Sequence, residues 1–292
     1  MTSAEHAVQP AHRSGTFNIG GDLNVYRLGF GAMRLTGKGV WGEPTDRKEA
    51  IAVLHRALEL GVTMIDTADS YGPAVSEQLI AEALYPYPKN LVIATKGGFE
   101  RPGPEQWIVN GNPGYLRSAC ETSLRRLKLE QIDLYQLHRI DPRVPIADQI
   151  GVLIDLHKEG KIRHIGLSEV SVMEIEEVRR MTAIASVQNK YNLFERNSER
   201  VLEYCTRENI AFIPWYPLAA GNITESMSIF KRISDKFHAR PAQIALAWLL
   251  KKSPVVLPIP GTSSVKHLEE NVAAALIELD EQTMKELEQF GA

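Results

Sequence analysis

Eight short runs rich in Val, Ile and Leu punctuate this chain of 292 residues, and a longer stretch with helical spacing follows most of them. This alternation constrains the fold more than any other feature, because strands that alternate with helices pair in parallel and become covered on both faces. The strand candidates are 27–33 (RLGFGAM), 63–68 (TMIDTA), 91–96 (LVIATK), 132–138 (IDLYQLH), 162–168 (IRHIGLS), 184–191 (IASVQNKY), 211–218 (AFIPWYPL) and 255–261 (VVLPIPG). Between them, Ile51, Leu54 and Leu58 keep helical spacing in DRKEAIAVLHRALELG, with Gly61 as its stop. Ile146, Ile150, Leu153 and Ile154 do the same in IADQIGVLIDLHKEGK, and Pro241 suits the first turn of PAQIALAWLLKK.

A closed (β/α)8 barrel and an open doubly wound sheet both carry such a pattern. The count of eight favours the barrel. So does the first junction, where GFGAMR puts Arg34 at the place of the third glycine of a dinucleotide-binding G-x-G-x-x-G. The expected fold is therefore α/β, a (β/α)8 TIM barrel with an N-terminal β-hairpin and a C-terminal helix. The hairpin, TFNIGGDLNVYRL with its turn at Gly20-Gly21-Asp22, is placed to plug the N-terminal end of the barrel. No composition break or low-complexity linker interrupts the chain. Residues 15–292 read as a single domain, and 1–14 as a flexible polar tail without the apolar region of a signal peptide.

Hydrophobic residues make up 44% of the chain, enough for a large core, and the net charge of −3 gives no bulk reason to expect nucleic acid or an anionic membrane as partner. No apolar run approaches the ~20 residues that span a bilayer. Cys120 and Cys205 fall in helical segments and form no ligand pair or disulfide framework, so reduced thiols and a cytoplasmic location are expected, with no metal.

A parallel barrel builds its site at the C-terminal ends of the strands. Those ends carry Asp66 with Tyr71 in the loop beyond it, then Lys96, His138, Ser168, Gln188 with Asn189, Tyr216, and Gly261 followed by Thr262, Ser263 and Ser264. Taken singly, Asp66 reads more often as a helix cap and His138 as a satisfied core histidine. Lys96 is harder to dismiss, because an unpaired ammonium in a low-dielectric interior is unstable and needs the carboxylate that Asp66 supplies. A free phenol, with pKa near ~10, transfers protons poorly at neutral pH. The ammonium of Lys96 is expected to stabilise the Tyr71 phenolate and lower that pKa. The group then suits proton donation to a carbonyl oxygen, with His138 orienting the carbonyl or sharing in the proton relay. On the other half of the ring, Tyr216 offers a face for stacking and Gln188 and Asn189 offer amides. IPGTSSVKHLEEN opens a helix whose N-terminus suits an anion, or is simply capped.

The blocks DTADSYG, VIATKGG, IDLYQLHRID, KIRHIGLSE, SVQNKYN and IPGTSSVKHLEEN occur in this order. Together they resemble the aldo-keto reductases over nearly the whole chain, from LGFGAM to LEEN. The resemblance implies a barrel that binds NADP(H) in extended form and reduces an aldehyde or ketone, a small-molecule carbonyl substrate, by hydride transfer. It implies Tyr71 as general acid, Lys96 and Asp66 tuning it, and His138 orienting the substrate. It further implies Ser168 and Gln188 at the carboxamide, Tyr216 stacked on the nicotinamide, and Gly31, Ala32 and Met33 by the nicotinamide ribose. Leu218 would follow the pyrophosphate, with Gly261 in the same cofactor-binding set. Thr262, Ser263 and His267 would face the 2′-phosphate, and Glu270 and Asn271 the adenine.

Two positions depart from the family pattern. Glu169 stands where an Asn is common and cannot donate to the carboxamide oxygen, and His267 stands where many members place an arginine. Histidine lacks the fixed charge of arginine, so NAD(H) stays open beside NADP(H). The short segment PLAAGNITESMSIF after the seventh strand implies fast cofactor exchange.

For the substrate, Trp41, Phe99 and Trp107 fall in loops after the first and third strands. An aromatic-lined mouth there suits a planar aldehyde, although such residues also simply pack loops. GVWGEPTDR with EALYPYP is similar to the branch that contains pyridoxal reductases, which implies reduction of pyridoxal to pyridoxine. Only Arg101 and Arg139 stand out as basic in these loops, so free pyridoxal is expected over its phosphate. Two other readings remain: an NADPH-sensing regulatory subunit, and a lyase using Lys96 as a Schiff-base nucleophile. No heptad or long tail announces the partner surface that the first needs, and the second leaves DTADSYG and the cofactor-like blocks unexplained.

Overall fold

An alternating pattern of inward and outward side chains opens the computed structural model, which describes residues 9–218 and 228–290. Strands β1 (Thr16–Ile19) and β2 (Leu23–Tyr26) pair antiparallel, with Phe17 opposite Val25 and Ile19 opposite Leu23. All four of these side chains are buried, while Asn18 and Asn24 face outward and bond to each other at 2.7 Å. At the turn, Asp22 accepts from Arg163 at 2.7 Å and lies 2.6 Å from the His164 ring, at the start of a barrel strand. The hairpin thus covers the N-terminal end of the barrel, as expected.

The barrel strands follow in the order of the sequence: β3 (Phe30–Gly31), β4 (Met64–Asp66), β5 (Val92–Gly97), β8 (Ile132–Leu137), β9 (Ile162–Ser168), β10 (Ser186–Gln188) and β11 (Ala211–Phe212). Neighbours in the sheet are consecutive in this series and parallel throughout. A small hairpin, β6 (Phe99–Glu100) and β7 (Ile108–Val109), projects from the loop after β5.

The eighth expected run, 255–261, forms no regular strand, yet its backbone closes the ring. Phe212 N–H donates to Val255 O, and Leu257 N–H donates back to Phe212 O, both at 2.8 Å. On the other side, Gly29 and Gly31 donate to the carbonyls of Pro258 and Pro260 at 2.9 and 3.4 Å. Pro258 and Pro260 have no N–H, so a two-way ladder with β3 cannot form at these positions. The two edges nevertheless lie very close. A Cβ on Gly31 would stand 2.6 Å from Ile259 O, and one on Gly261 would stand 2.6 Å from Gly31 O.

Helices α1 (Arg47–Glu59), α2 (Val75–Leu84), α3 (Pro113–Leu127), α4 (Ile146–Lys158), α5 (Val172–Arg179), α6 (Glu199–Glu208), α7 (Ser228–Phe237), α8 (Pro241–Lys252), α9 (Val265–Ala273) and α10 (Glu281–Phe290) pack outside. Local chemistry sets their starts: Asp46 accepts from Glu49 N–H at 2.9 Å, and Ser171 and Glu174 form a reciprocal capping box. Leu54, Ile150 and Leu153 are fully buried, whereas Ile51, Leu58, Ile146 and Ile154 sit half-buried at the edges of the same stripes. The C-terminal α10 is fastened by Glu288, which accepts from Arg196 at 2.8 Å and from Trp248 Nε1 at 3.0 Å.

One boundary differs from the expectation. Residues Pro10–Ser14, read from their polarity as part of a loose tail, form a 3-10 turn. Ala11 N–H donates to Leu60 O at 3.1 Å, and Ser14 Oγ accepts from Leu28 N–H at the same distance. A single buried alanine anchors this turn, too little apolar surface to show in composition. Residues 1–8 of the expected tail, and 219–227 of the short segment tied to cofactor exchange, lie outside the described residues. Among the described residues, no helix is long and apolar enough to cross a membrane. Cys120 and Cys205 are buried free thiols, each pushed up to about 12 by burial.

Candidate active site

The parallel register brings the strand ends together as polar neighbours inside the barrel. Asp66 closes β4, Lys96 lies on β5 opposite Gln136 of β8, and Gln188 of β10 lies opposite Ser168 of β9. Asp66 and Lys96 are almost wholly removed from solvent, at 1% and 0% exposure. Burial of two charges is tolerable only when each finds partners. Lys96 Nζ donates to Asp66 Oδ1 at 2.5 Å and to Thr67 O at 2.8 Å, and lies 3.5 Å from the Tyr71 hydroxyl. Asp66 Oδ2 accepts from Gln136 Nε2 at 3.0 Å and Gln188 Nε2 at 2.9 Å.

A tight turn delivers Tyr71. Its N–H donates to Ala68 O at 3.2 Å, and Gly72 follows at φ +106, where an added Cβ would lie 2.4 Å from Val75 Cβ. His138, just past β8, faces Tyr71 edge-on with ring centroids 6.0 Å apart, and its Nδ1 lies 3.4 Å from Ser70 Oγ.

Electrostatics follow from this packing. Burial pushes the Lys96 ammonium down, but Asp66 and then Tyr71 outweigh it, so its pKa is raised and the side chain stays cationic. For Tyr71 the outcome differs from the expected lowering. Burial raises its pKa most; Lys96 pulls it back only in part, and Asp66 opposes that pull. His138 is held well below its ordinary value by burial, then by Lys96, Arg139 and Arg101. At neutral pH the site therefore presents a protonated phenol and a neutral imidazole beside a fixed ammonium. Beneath the Tyr71 loop, Asp69 is 7% exposed and its Oδ1 has no hydrogen-bond partner among the described residues. Burial, followed by the nearby Glu77, pushes that carboxyl up to about 8.

Asp66, Tyr71 and His138 open onto a cavity of about 1010 Å³, while Lys96 sits behind Tyr71 and does not line it. Gly31, Met33, Ser168, Gln188, Tyr216 and Leu218 line it, as do Gly261, Thr262, His267, Glu270 and Asn271. Phe99 and Trp107 line it beside His138, their rings packed against each other and against the imidazole. Three expected residues are not brought to the wall. Ala32 is buried in a 3-10 turn with its carbonyl 3.3 Å from Ser76 Oγ; Ser263 is exposed; and Trp41 pairs with Gly72 and packs against Arg101, its ring centroid 5.6 Å from the guanidinium. Asn189 also turns away, with both amide atoms bonded to the Val170 backbone.

Arg34, Arg240 and Trp215 also line the cavity and were not picked out from the sequence as site residues; Arg139, noted there only as a loop cation, lines it too. Arg34 was noticed only as a misfit to a glycine motif, and Arg240 lies outside any strand end, at the N-cap of α8. Glu169 does not reach the cavity wall. It sits at φ +55 and accepts from Trp215 Nε1 and Lys190 N–H, both at 2.5 Å, so it braces the segment that carries Tyr216. Among the described residues, no group of three or more His, Cys, Asp or Glu side chains is placed to hold a metal.

Comparison with known proteins matches residues 27–292 to the model of the aldo/keto reductase family. An uncharacterised oxidoreductase of Schizosaccharomyces pombe is 53% identical over 99% of this chain and 94% of its own length. Pyridoxine 4-dehydrogenase of Escherichia coli is 41% identical over 94% of this chain and 98% of its own length. Among solved structures, an aldo/keto reductase from Klebsiella pneumoniae in complex with NADP and acetate superposes with a TM-score of 0.81 at 27% identity, covering 94% of each chain.

Proposed function

The chain belongs to the aldo/keto reductase family, and from that premise we propose that it reduces an aldehyde or ketone to an alcohol with NADPH, with pyridoxal as the first candidate substrate. One observation carries the reading: the Tyr71 hydroxyl, backed by the Lys96–Asp66 ion pair, lies at the wall of a cavity of about 1010 Å³.

The residues along that cavity fit an extended dinucleotide. Arg34, Arg240 and His267 line it with Thr262, cationic and hydroxyl-bearing groups suited to a phosphate, although Arg240 is also paired with Glu270 at 3.1 Å. Arg34 and Arg240 offset the missing arginine at His267 and favour NADPH over NADH. Tyr216 offers its ring and Ser168 its hydroxyl. Gln188 donates its Nε2 to Asp66, which leaves its carbonyl oxygen to accept from a carboxamide. Gly31, Met33, Leu218 and Gly261 border the same channel, as do Glu270 and Asn271.

When bound, the nicotinamide supplies the hydride for the carbonyl carbon. Tyr71 gives its hydroxyl proton to the carbonyl oxygen, and Lys96, 3.5 Å away, stabilises the phenolate left behind. The neutral His138 orients that oxygen from the other side. Asp66 keeps Lys96 charged and in place.

Pyridoxal is supported by the 41% identity to a pyridoxine 4-dehydrogenase and by the Phe99 and Trp107 rings, which suit a planar substrate. The Schiff-base lyase is disfavoured by Lys96 itself, an ammonium kept cationic and fully buried. The test is NADPH consumption with pyridoxal and a panel of other aldehydes, beside a Tyr71→Phe control. Turnover that the control largely loses supports the reductase. Tight NADPH binding without turnover on any carbonyl would favour a sensor instead.

A further inference from the structure

Two arginines stand beside the aromatic pair, Arg101 at Trp107 and Arg139 at Phe99, and the structure uses them differently. Arg101 stacks on Trp107 with its guanidinium 3.6 Å from the ring centroid. Its Nε, Nη1 and Nη2 donate to the carbonyls of Gln106, Ser70 and Gly39 at 2.8, 2.8 and 3.2 Å. Each nitrogen of that fork donates to backbone, so Arg101 clamps three loops, and it does not line the main cavity.

Arg139 is not committed in this way. It follows His138 directly and lines the cavity with it. Its Nη1 donates to His138 O at 2.6 Å and to Ser168 Oγ at 3.0 Å, while its Nε and Nη2 have no hydrogen-bond partner among the described residues. No carboxylate oxygen of the described residues lies within 4.0 Å of the guanidinium. The charged and titratable groups around it are Lys96, whose charge Asp66 balances; His138, which is neutral; Tyr71, a phenol; and Glu169, which bonds to Trp215 and Lys190. A half-buried cation with unpaired N–H groups thus borders the catalytic centre.

We propose that Arg139 determines substrate specificity by pairing with an ionised oxygen carried on the ring atom next to the one that bears the carbonyl. The proposal rests on the reductase reading, because Tyr71 and His138 fix where the carbonyl oxygen sits. The guanidinium lies 5.5 Å from the Phe99 ring centroid, and Phe99 packs edge-on against His138 at 4.7 Å. A flat ring packed against Phe99 with its carbonyl at Tyr71 and His138 therefore brings a neighbouring substituent within reach of Arg139. In a partly dry cavity, a hydrogen bond assisted by full charges is about twice as strong as a neutral one. Aromatic aldehydes with an ortho oxyanion form the favoured class, and pyridoxal, with its ring hydroxyl beside the formyl group, belongs to it.

The test compares 2-hydroxy-5-nitrobenzaldehyde with 4-hydroxy-3-nitrobenzaldehyde. The nitro group keeps both phenols ionised at neutral pH, and ortho and para oxyanions feed the carbonyl alike, so the pair differs chiefly in where the charge sits. Product alcohols are quantified by chromatography with NADPH, and binding of each aldehyde is measured by calorimetry with NADP⁺, where no reduction occurs. The expected ortho-over-para ratio in the native protein is about tenfold, both in kcat/KM and in affinity. Arg139→Met should bring both ratios to within about twofold of one, with Arg139→Lys between. Because each ratio is taken within one variant, any effect of Arg139 on cofactor binding through Ser168 cancels. A native ratio near one, or a ratio unchanged in Arg139→Met, overturns the proposal. Failure to reduce any carbonyl would sink the reductase reading, and the calorimetric ratio would still judge Arg139.

Discussion

Gln188 reaches across the barrel to Asp66: its Nε2 donates to the carboxylate at 2.9 Å from a strand four places further round the ring. Gln136 donates to the same oxygen, and Lys96 donates to the other. The carboxylate that steadies Lys96 is thus itself held by the strand whose glutamine borders the proposed cofactor channel. The proposed proton donor and the proposed cofactor wall share one buried polar network, and each strand end in it depends on the closure of the whole ring.

Tyr71→Phe should reduce kcat for carbonyl reduction by about 10²–10⁴-fold, the usual contribution of a positioned proton donor, while NADPH affinity stays within a few-fold. Steady-state rates and cofactor fluorescence titration read the two effects separately. Comparable rates with and without the hydroxyl would remove Tyr71 from the reaction.

Lys96→Met should destabilise the fold by about 3–5 kcal/mol, because it strands the Asp66 charge in the barrel interior. Adding Asp66→Asn to that variant should recover part of the loss, since the unpaired charge disappears. Denaturant unfolding of the two single variants and the double variant closes the cycle. Simple additivity would mean that the two residues do not depend on each other.

The pH profile should be level on the acid side. His138 is held well below its ordinary value by burial and by Lys96, so it stays neutral, and Tyr71 is raised by burial, so it keeps its proton. For reduction, kcat/KM is expected to be flat from roughly pH 6 to 9, declining only where the phenol ionises. An inflection near the ordinary histidine value that vanishes in His138→Asn would contradict this.

Asp69 should lower stability as pH rises. Its folded pKa of about 8 exceeds the ordinary carboxylate value, so between roughly pH 4 and 8 the native state holds a proton that the unfolded chain releases. Its contribution is fully present below that window and declines by about 1.4 kcal/mol per pH unit through it. Asp69→Asn should remove the slope, so that the variant gains on the native protein from acid to neutral pH. Parallel stability curves across that range would show that the carboxyl is not protonated in the fold.

The fold was largely legible because alternation survives without side-chain detail: seven of the expected strands formed, and the hairpin turn fell at Gly20-Gly21-Asp22. The eighth run shows the limit, since the hydropathy of VVLPIPG suits a strand while the missing N–H groups of Pro258 and Pro260 deny it a regular ladder. In the site, Lys96 was legible because a buried ammonium at a strand end demands a partner. The direction of the Tyr71 shift was not, because it depends on how fully the phenol is desolvated. Trp41 was misplaced for a related reason: an aromatic in a loop fits a substrate wall and an arginine stack equally well until the loop folds. Arg139 was read as one of two equivalent loop cations, and only the folded loops separate them, by the hydrogen bonds of Arg101 and by the place of Arg139 on the cavity wall.

The seam between the first and last strand positions has a thermodynamic corollary. Joined there by one-way acceptance at Pro258 and Pro260, the ring closes through only the Gly29 and Gly31 N–H groups at the place where Gly31 and Gly261 nearly touch. Both glycines border the main cavity, so a single occupant lying along it rivets the two ends of the sheet together. The ligand then acts as a missing rung, and amide exchange at Gly29 and Gly31 would slow in proportion to how firmly it is held.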